Sequence, residues 1–268
     1  MGTVLRSELR QHRGYLLAWA LSMAFAIWVL LPIYNGFLTG SSQANVLDTI
    51  GGPSSPVAAI GLSVEHLVTP VGMFGFLTIF LMLPLGIHGM HLGSTILAKD
   101  YREHTAEFLL TTPVGRSAVF WAKALTVWIG TTITGVAYGL AAYAAEIGDK
   151  GQAFDHREFW LVAGSAVLVT WVFAGVGLFV GARWPNLRST LLVSAFVVFV
   201  SLCIGSFATI MHWRILTYLS PFQFFLDSEI ARRGGYEPGY LIWAILLILG
   251  FTLAGAFIQR RADVRFAD

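Results

Sequence analysis

Six times along the chain a run of about twenty apolar residues passes with a single charged side chain among them, and polar or glycine-rich connections separate the runs. A bilayer core of about 30 Å is crossed by about 20 helical residues, so this pattern predicts six transmembrane helices. They fall at approximately Tyr15 to Tyr34, Val71 to Leu97, Ala118 to Tyr143, Phe159 to Ala182, Thr190 to Ile210 and Tyr240 to Ile258. The one charge, Lys123, lies a turn inside the third run, where its long stem allows the ammonium to snorkel to the interface. Before the first run, Val4, Leu5 and Leu9 share one side of a helix and Arg6, Arg10 and Arg13 another, which predicts a short interfacial helix. A cleaved leader is the competing reading of this end; the length of the run and its Leu31-Pro32-Ile33-Tyr34 exit argue against it.

The connections differ in kind. Residues 35–69 are rich in Gly, Ser and Pro and contain no Lys or Arg, so they read as a loop with one short helix near Ala58 to His66. Met211 to Gly239 is amphipathic and aromatic and predicts a re-entrant segment dipping into the interface, broken in two at Pro221. Between the second and third runs, Lys99 to Arg116 is strongly polar yet helix-patterned. Asp100 is a natural N-cap, Glu103 complements the helix dipole, and Pro113 forces the helix to end near Thr112. The expected cytoplasmic helix, approximately 100–112, is a rod of roughly 20 Å. As a bland alternative, it is a solvated loop helix capping two spans.

Composition agrees with the pattern: 56% of residues are hydrophobic and 12% charged, with a mean hydropathy of +0.70. A soluble domain has about a quarter of its residues charged. Residues 1–268 are therefore read as a single all-α transmembrane domain. The net charge of +2 comes from dispersed residues and gives no patch for nucleic acid. Placement is more informative. With the N-terminus inside, twelve Lys and Arg residues fall on the cytoplasmic side and five outside, so both termini and the 100–112 helix are expected to be cytoplasmic. Small residues recur at close-packing spacing at Gly86, Gly89 and Gly93, at Gly177 and Gly181, at Ser201 and Gly205, and at Gly250 and Ala254. The lone Cys203 reads as a buried packing residue.

Chemistry is sparse. No phosphate-loop pattern GxxxxGK[ST] is present, nor GxSxG, HExxH or CxxC, so the chain is expected to have no catalytic residues and no ATPase motif. His88 and His91, at i and i+3, are a possible polar lining or interhelical hydrogen-bonding pair. An intramembrane metal- or haem-handling role is the alternative, but two ligands from one helix do not complete a metal site, and the expected metal content is none. Glu146, Asp149, Asp155 and Glu158 read as a solvated rim, with attraction of a cationic substrate as the other possibility.

The run Ala98 to Lys123, AKDYREHTAEFLLTTPVGRSAVFWAK, resembles the signature of type-2 ABC transporter permeases, the ABC-2 type transmembrane subunits of ABC exporters. The matching positions are Glu103, Thr105, Glu107, Leu109, Leu110, Pro113, Arg116 and Lys123; His104 and Gly115 depart from the usual residues. Six spans, the LSPFQFF segment at Leu219 to Phe225 and the basic IQRRADVRF tail fit the same family. The resemblance implies a permease paired with a second copy or a related permease, and two separate ABC ATPase subunits that carry the ATP and magnesium, this chain having no cofactor of its own. It implies that the 100–112 rod is the coupling helix, with Asp100, Arg102, Glu103, Thr105, Glu107, Leu109, Leu110, Pro113 and Arg116 as its ATPase-coupling residues. Arg183, Trp184, Asn186 and Arg188 are the lesser second contact.

The function so implied is ATP-driven export across a prokaryotic cytoplasmic membrane, within membrane lipids and without nucleic acid. The cargo expected for such apolar spans is hydrophobic or amphipathic: a drug, an antimicrobial peptide or a lipid. A sensor or assembly subunit that moves a partner rather than a cargo is the remaining alternative.

Overall fold

The computed structural model describes residues 2–39, 69–102, 115–148 and 154–261. Among these residues all regular structure is helical: α1 (Gly2–Thr39), α2 (Pro70–Arg102), α3 (Arg116–Gly148), α4 (His156–Arg183), α5 (Thr190–Ile210), α6 (Arg214–Thr217), a 3-10 turn (Pro221–Gln223), α7 (Asp227–Arg233) and α8 (Pro238–Arg261). Six of these helices, α1 to α5 and α8, are long and apolar enough to cross a membrane.

Local chemistry sets the ends. Asp155 caps α4 by accepting from the N–H groups of Arg157 and Glu158 at 2.8 and 3.4 Å, and Ser189 caps α5 through the N–H of Leu192 at 3.3 Å. Gly234, at φ 63°, ends α7 in the left-handed conformation that glycine adopts without a Cβ clash. Pro238 opens α8, where its missing N–H costs nothing.

The long helices run up and down, so the bundle has two ends. One, the basic end, gathers the start of α1, the end of α2, the starts of α3 and α5, and the end of α8. Contacts among Glu8, Ile96 and Lys123, between Thr95 and Thr190, and between Ser117 and Arg260 define it. The other is closed by the segment from α6 to α7. Helices α2 and α4 are the most enclosed, while α1, α5 and α8 keep large apolar side chains such as Phe25, Phe196 and Leu246 outward.

The centre depends on missing side chains. A Cβ at Gly89 would stand 2.6 Å from the Thr170 carbonyl oxygen, one at Gly93 2.6 Å from that of Ala174, and one at Gly181 2.6 Å from that of Ser94; at Gly177 it would collide with the Met90 carbonyl. The glycine rows of α2 and α4 therefore face each other, and the backbones meet directly. The spacing at Gly250 has no such partner: nothing lies within 4 Å of a Cβ there.

Several expectations change. The amphipathic start of the chain is not a separate element but the first turns of a 38-residue α1. Helix α2 runs on to Arg102, so Asp100 belongs to its last turn. The re-entrant segment has three helical pieces rather than two, because α6 ends at Thr217 and a turn at Phe224 and Phe225 separates the 3-10 piece from α7. Cys203 is exposed rather than buried, on the peripheral α5. The expected helix at Ala58 to His66 lies outside the described residues.

Candidate functional site

Among the described residues, three polar clusters in this apolar bundle bring together groups that could carry function. The first is at the basic end. Lys123, 2% exposed, does not snorkel. Its Nζ donates to the Ile96 carbonyl of α2 at 2.7 Å and pairs with Glu8 Oε1 of α1 at 3.4 Å. Glu8 Oε2 in turn lies 3.6 Å from His12 Nε2. A lysine this deep is held by a carboxylate and a carbonyl because an unpaired ammonium there would be costly. It locks the first turns of α1 to α2 six residues before α2 ends at Arg102. The expected coupling segment follows directly. Asp100 and Arg102 fall in the last turn of α2, Arg116 opens α3, and Glu103, Thr105, Glu107, Leu109, Leu110 and Pro113 lie outside the described residues. The predicted second contact is the turn between α4 and α5, where Arg183, Trp184, Asn186 and Arg188 are all exposed; the Arg183 guanidinium lies 5.3 Å from the Trp184 ring centre.

The second place surrounds the histidines. His88 is fully buried. Its Nδ1 is 3.3 Å from the Tyr15 hydroxyl, its Nε2 3.2 Å from Thr134 Oγ1, and Trp19 stacks on the ring at 4.9 Å. His91 Nδ1 meets Thr95 Oγ1 at 3.3 Å and Thr190 Oγ1 at 3.2 Å. The pair thus ties α2 to α1, α3 and α5 through hydroxyls. Both His88 ring nitrogens have hydroxyl neighbours, which favours interhelical hydrogen bonding over metal ligation. Among the described residues no three His, Cys, Asp or Glu side chains form a metal-sized group.

The third place is the hairpin α6–α7 at the opposite end. Three polar side chains of the hairpin and its connection to α8 seat in glycine notches on three different helices. Asp227 sits on Gly75 of α2 and Ser220 on Gly205 of α5, and the Tyr236 hydroxyl would be 2.7 Å from a Cβ at Gly164 of α4. Tyr236 also donates to the Leu161 carbonyl at 2.6 Å. Asp227 is 2% exposed; burial pushes its carboxyl up to about 7, the nearby Glu158 charge adds to the rise, and backbone N–H donors at Ser228 and Asp227 partly oppose it. The rim expected at this end is also less solvated than its charges imply, because Glu146 is 5% exposed; Asp149 lies outside the described residues.

Residues 3–266 match the family model described as ABC-2 family transporter protein. The chain belongs to that family. No curated protein matches it significantly. It is accordingly the permease of an ABC transporter, a multi-pass membrane subunit without an ATPase motif of its own that associates with ABC ATPase partners. In this ABC-2 permease, sequence reasoning found the histidines and assigned Lys123 to a motif, but missed Glu8 and Asp227. Glu8 stood among arginines in an amphipathic stretch, with nothing to mark its partner. A signal for Asp227 did exist: an acidic residue directly after the apolar FQFFL run.

Proposed function

We propose that this permease exports a hydrophobic or amphipathic cargo across a prokaryotic cytoplasmic membrane, driven by two ATPase subunits that bind ATP and magnesium and seat the expected 100–112 coupling segment, whose first residues close α2. Its second half is another copy or a related permease. Glu103 and Glu107 face basic residues of the ATPase groove, Leu109 and Leu110 hold the helix to the bundle, and Arg183 to Arg188 touches the same partner. The observation that carries this reading is the Lys123 clamp. A buried ammonium joining α1, α2 and α3 at the root of the coupling segment makes a stiff base through which motion of that segment reaches three spans together. The charge asymmetry supports the orientation, because the basic end is the one toward which the coupling segment leads.

The test is co-purification of this chain with its ATPase and ATP hydrolysis by the complex in vesicles. Reversing Glu103 and Glu107 to Lys together should reduce ATPase association at least tenfold, while His88→Ala leaves association intact. Loss of association with His88→Ala alone, or none with the double reversal, rejects the coupling assignment. Cargo-stimulated hydrolysis separates an exporter from a subunit that merely moves a partner protein.

A further inference from the structure

A cavity of about 570 Å3 opens where the end of α5, the hairpin and the start of α8 meet. Its lining combines aromatic surface with balanced charge: Phe224 and Tyr240, the cations Arg214 and Arg233 with His212, and the carboxylates Glu229 and Glu237. The two rings stack at 5.5 Å and 11°. Arg233 is 3.3 Å from Glu237 and 3.0 Å from Glu229. Among the described residues no carboxylate pairs with Arg214, so the cavity offers one free guanidinium beside a shared carboxylate pair.

Two features place this cavity at headgroup depth. Tyr240 of the lining belongs to an aromatic cluster with Tyr218 and Trp243, in which the Trp243 indole N–H donates to the Tyr218 carbonyl at 2.9 Å; such amphipathic rings gather at membrane interfaces. The single turn of α6 is also divided. Arg214 and Thr217, three apart, line the cavity, while Ile215 between them is 85% exposed and neighbouring Trp213 62%. One turn thus shows a cation to the cavity and a bare apolar surface away from it. At the wall itself His212 takes φ 53°. It occupies the left-handed position of a helix C-cap closed by the Trp213 N–H on the Ala208 carbonyl at 3.0 Å, a place usually given to glycine. A side chain is thus accepted at a conformational cost at a residue that lines the cavity.

We propose that this cavity binds the headgroup of a zwitterionic aminophospholipid, with phosphate against Arg214 and His212 and the ammonium against Glu237. The acyl chains lie along Trp213 and Ile215. A net-anionic lipid fits less well, because the lining carboxylates offset the added charge. The site requires no particular cargo or ATPase and stands or falls apart from the exporter reading.

The test uses the full-length chain, purified in detergent and delipidated. Phosphatidylethanolamine, phosphatidylglycerol and soluble phosphoethanolamine are titrated separately, with binding read by native mass spectrometry and thermal melting. Phosphatidylethanolamine should bind at least tenfold more tightly than phosphatidylglycerol, and Arg214→Gln should weaken it about tenfold, as expected for loss of a charged hydrogen bond. Arg214→Lys should retain most of the affinity, and both variants should melt as wild type without lipid. Equal affinity for the two lipids, soluble phosphoethanolamine as tight as the lipid, or indifference to Arg214→Gln overturns the proposal. If Arg214→Gln fails to fold, Glu237→Gln serves in its place, with the same weakening expected for the ethanolamine lipid only.

Discussion

At the scale of single residues, two buried ionisable groups define what this molecule cannot lose. Lys123 holds Glu8 and the Ile96 carbonyl at once, so Lys123→Met removes the cation and leaves the Glu8 carboxylate with His12 as its neighbour. Breaking one partner of a buried pair costs about 3 kcal/mol, and melting of the detergent-solubilised chain should show that loss. Adding Glu8→Gln should recover part of it, because the coupling energy of a true pair is not additive. If the double variant is no more stable than Lys123→Met alone, the two residues do not act together.

Asp227 predicts a pH dependence of definite sign. Its carboxyl is raised from 3.8 to about 7 by burial while the hairpin is docked. The docked form therefore holds the proton more tightly than an undocked form with an ordinary carboxyl. Docking is strongest below about 3.8, weakens as pH climbs toward 7, and is level above it. Protease or hydrogen-exchange protection of 214–237 should fall across that window in wild type and stay flat in Asp227→Asn. A flat wild-type profile would discard the assignment.

Among elements, the decisive contact is α2 against α4. Since a Cβ at Gly177 would strike the Met90 carbonyl, a backbone atom that cannot swing away, Gly177→Ala should destabilise the chain by about 1–3 kcal/mol, the usual penalty for overpacking. Gly250→Ala, with open space around it, should be neutral or stabilising by up to about 1 kcal/mol from helix propensity. Thermal melting of the two variants checks both. If they melt alike, spacing alone rather than the facing backbone governs the effect. Both positions belong to four-residue small-residue patterns, and only the neighbour distinguishes them.

For the whole molecule the prediction is topological. The basic end should face the cytoplasm and the hairpin end the outside. In a Cys203→Ser background, Gly239→Cys should react with a membrane-impermeant maleimide on intact cells, and Asn186→Cys only after permeabilisation. Both positions are exposed in the bundle, so reversed labelling would invert the orientation and remove the coupling segment from reach of any ATPase.

The amino-acid sequence alone determined the class, the number of spans and the family resemblance. Bilayer thickness and the cost of charge in hydrocarbon act on every local window, so a run such as Thr190 to Ile210 needs no tertiary information to be recognised. The ABC-2 signature is also local, a string of side chains between two spans. Only the tertiary structure decided which glycines are interfaces, that Lys123 is clamped rather than snorkelling, that Glu8 is its partner, and that Asp227 is buried on Gly75. Each of these joins residues far apart in the chain, and a buried charge looks the same in sequence as a solvated one until its partner is known.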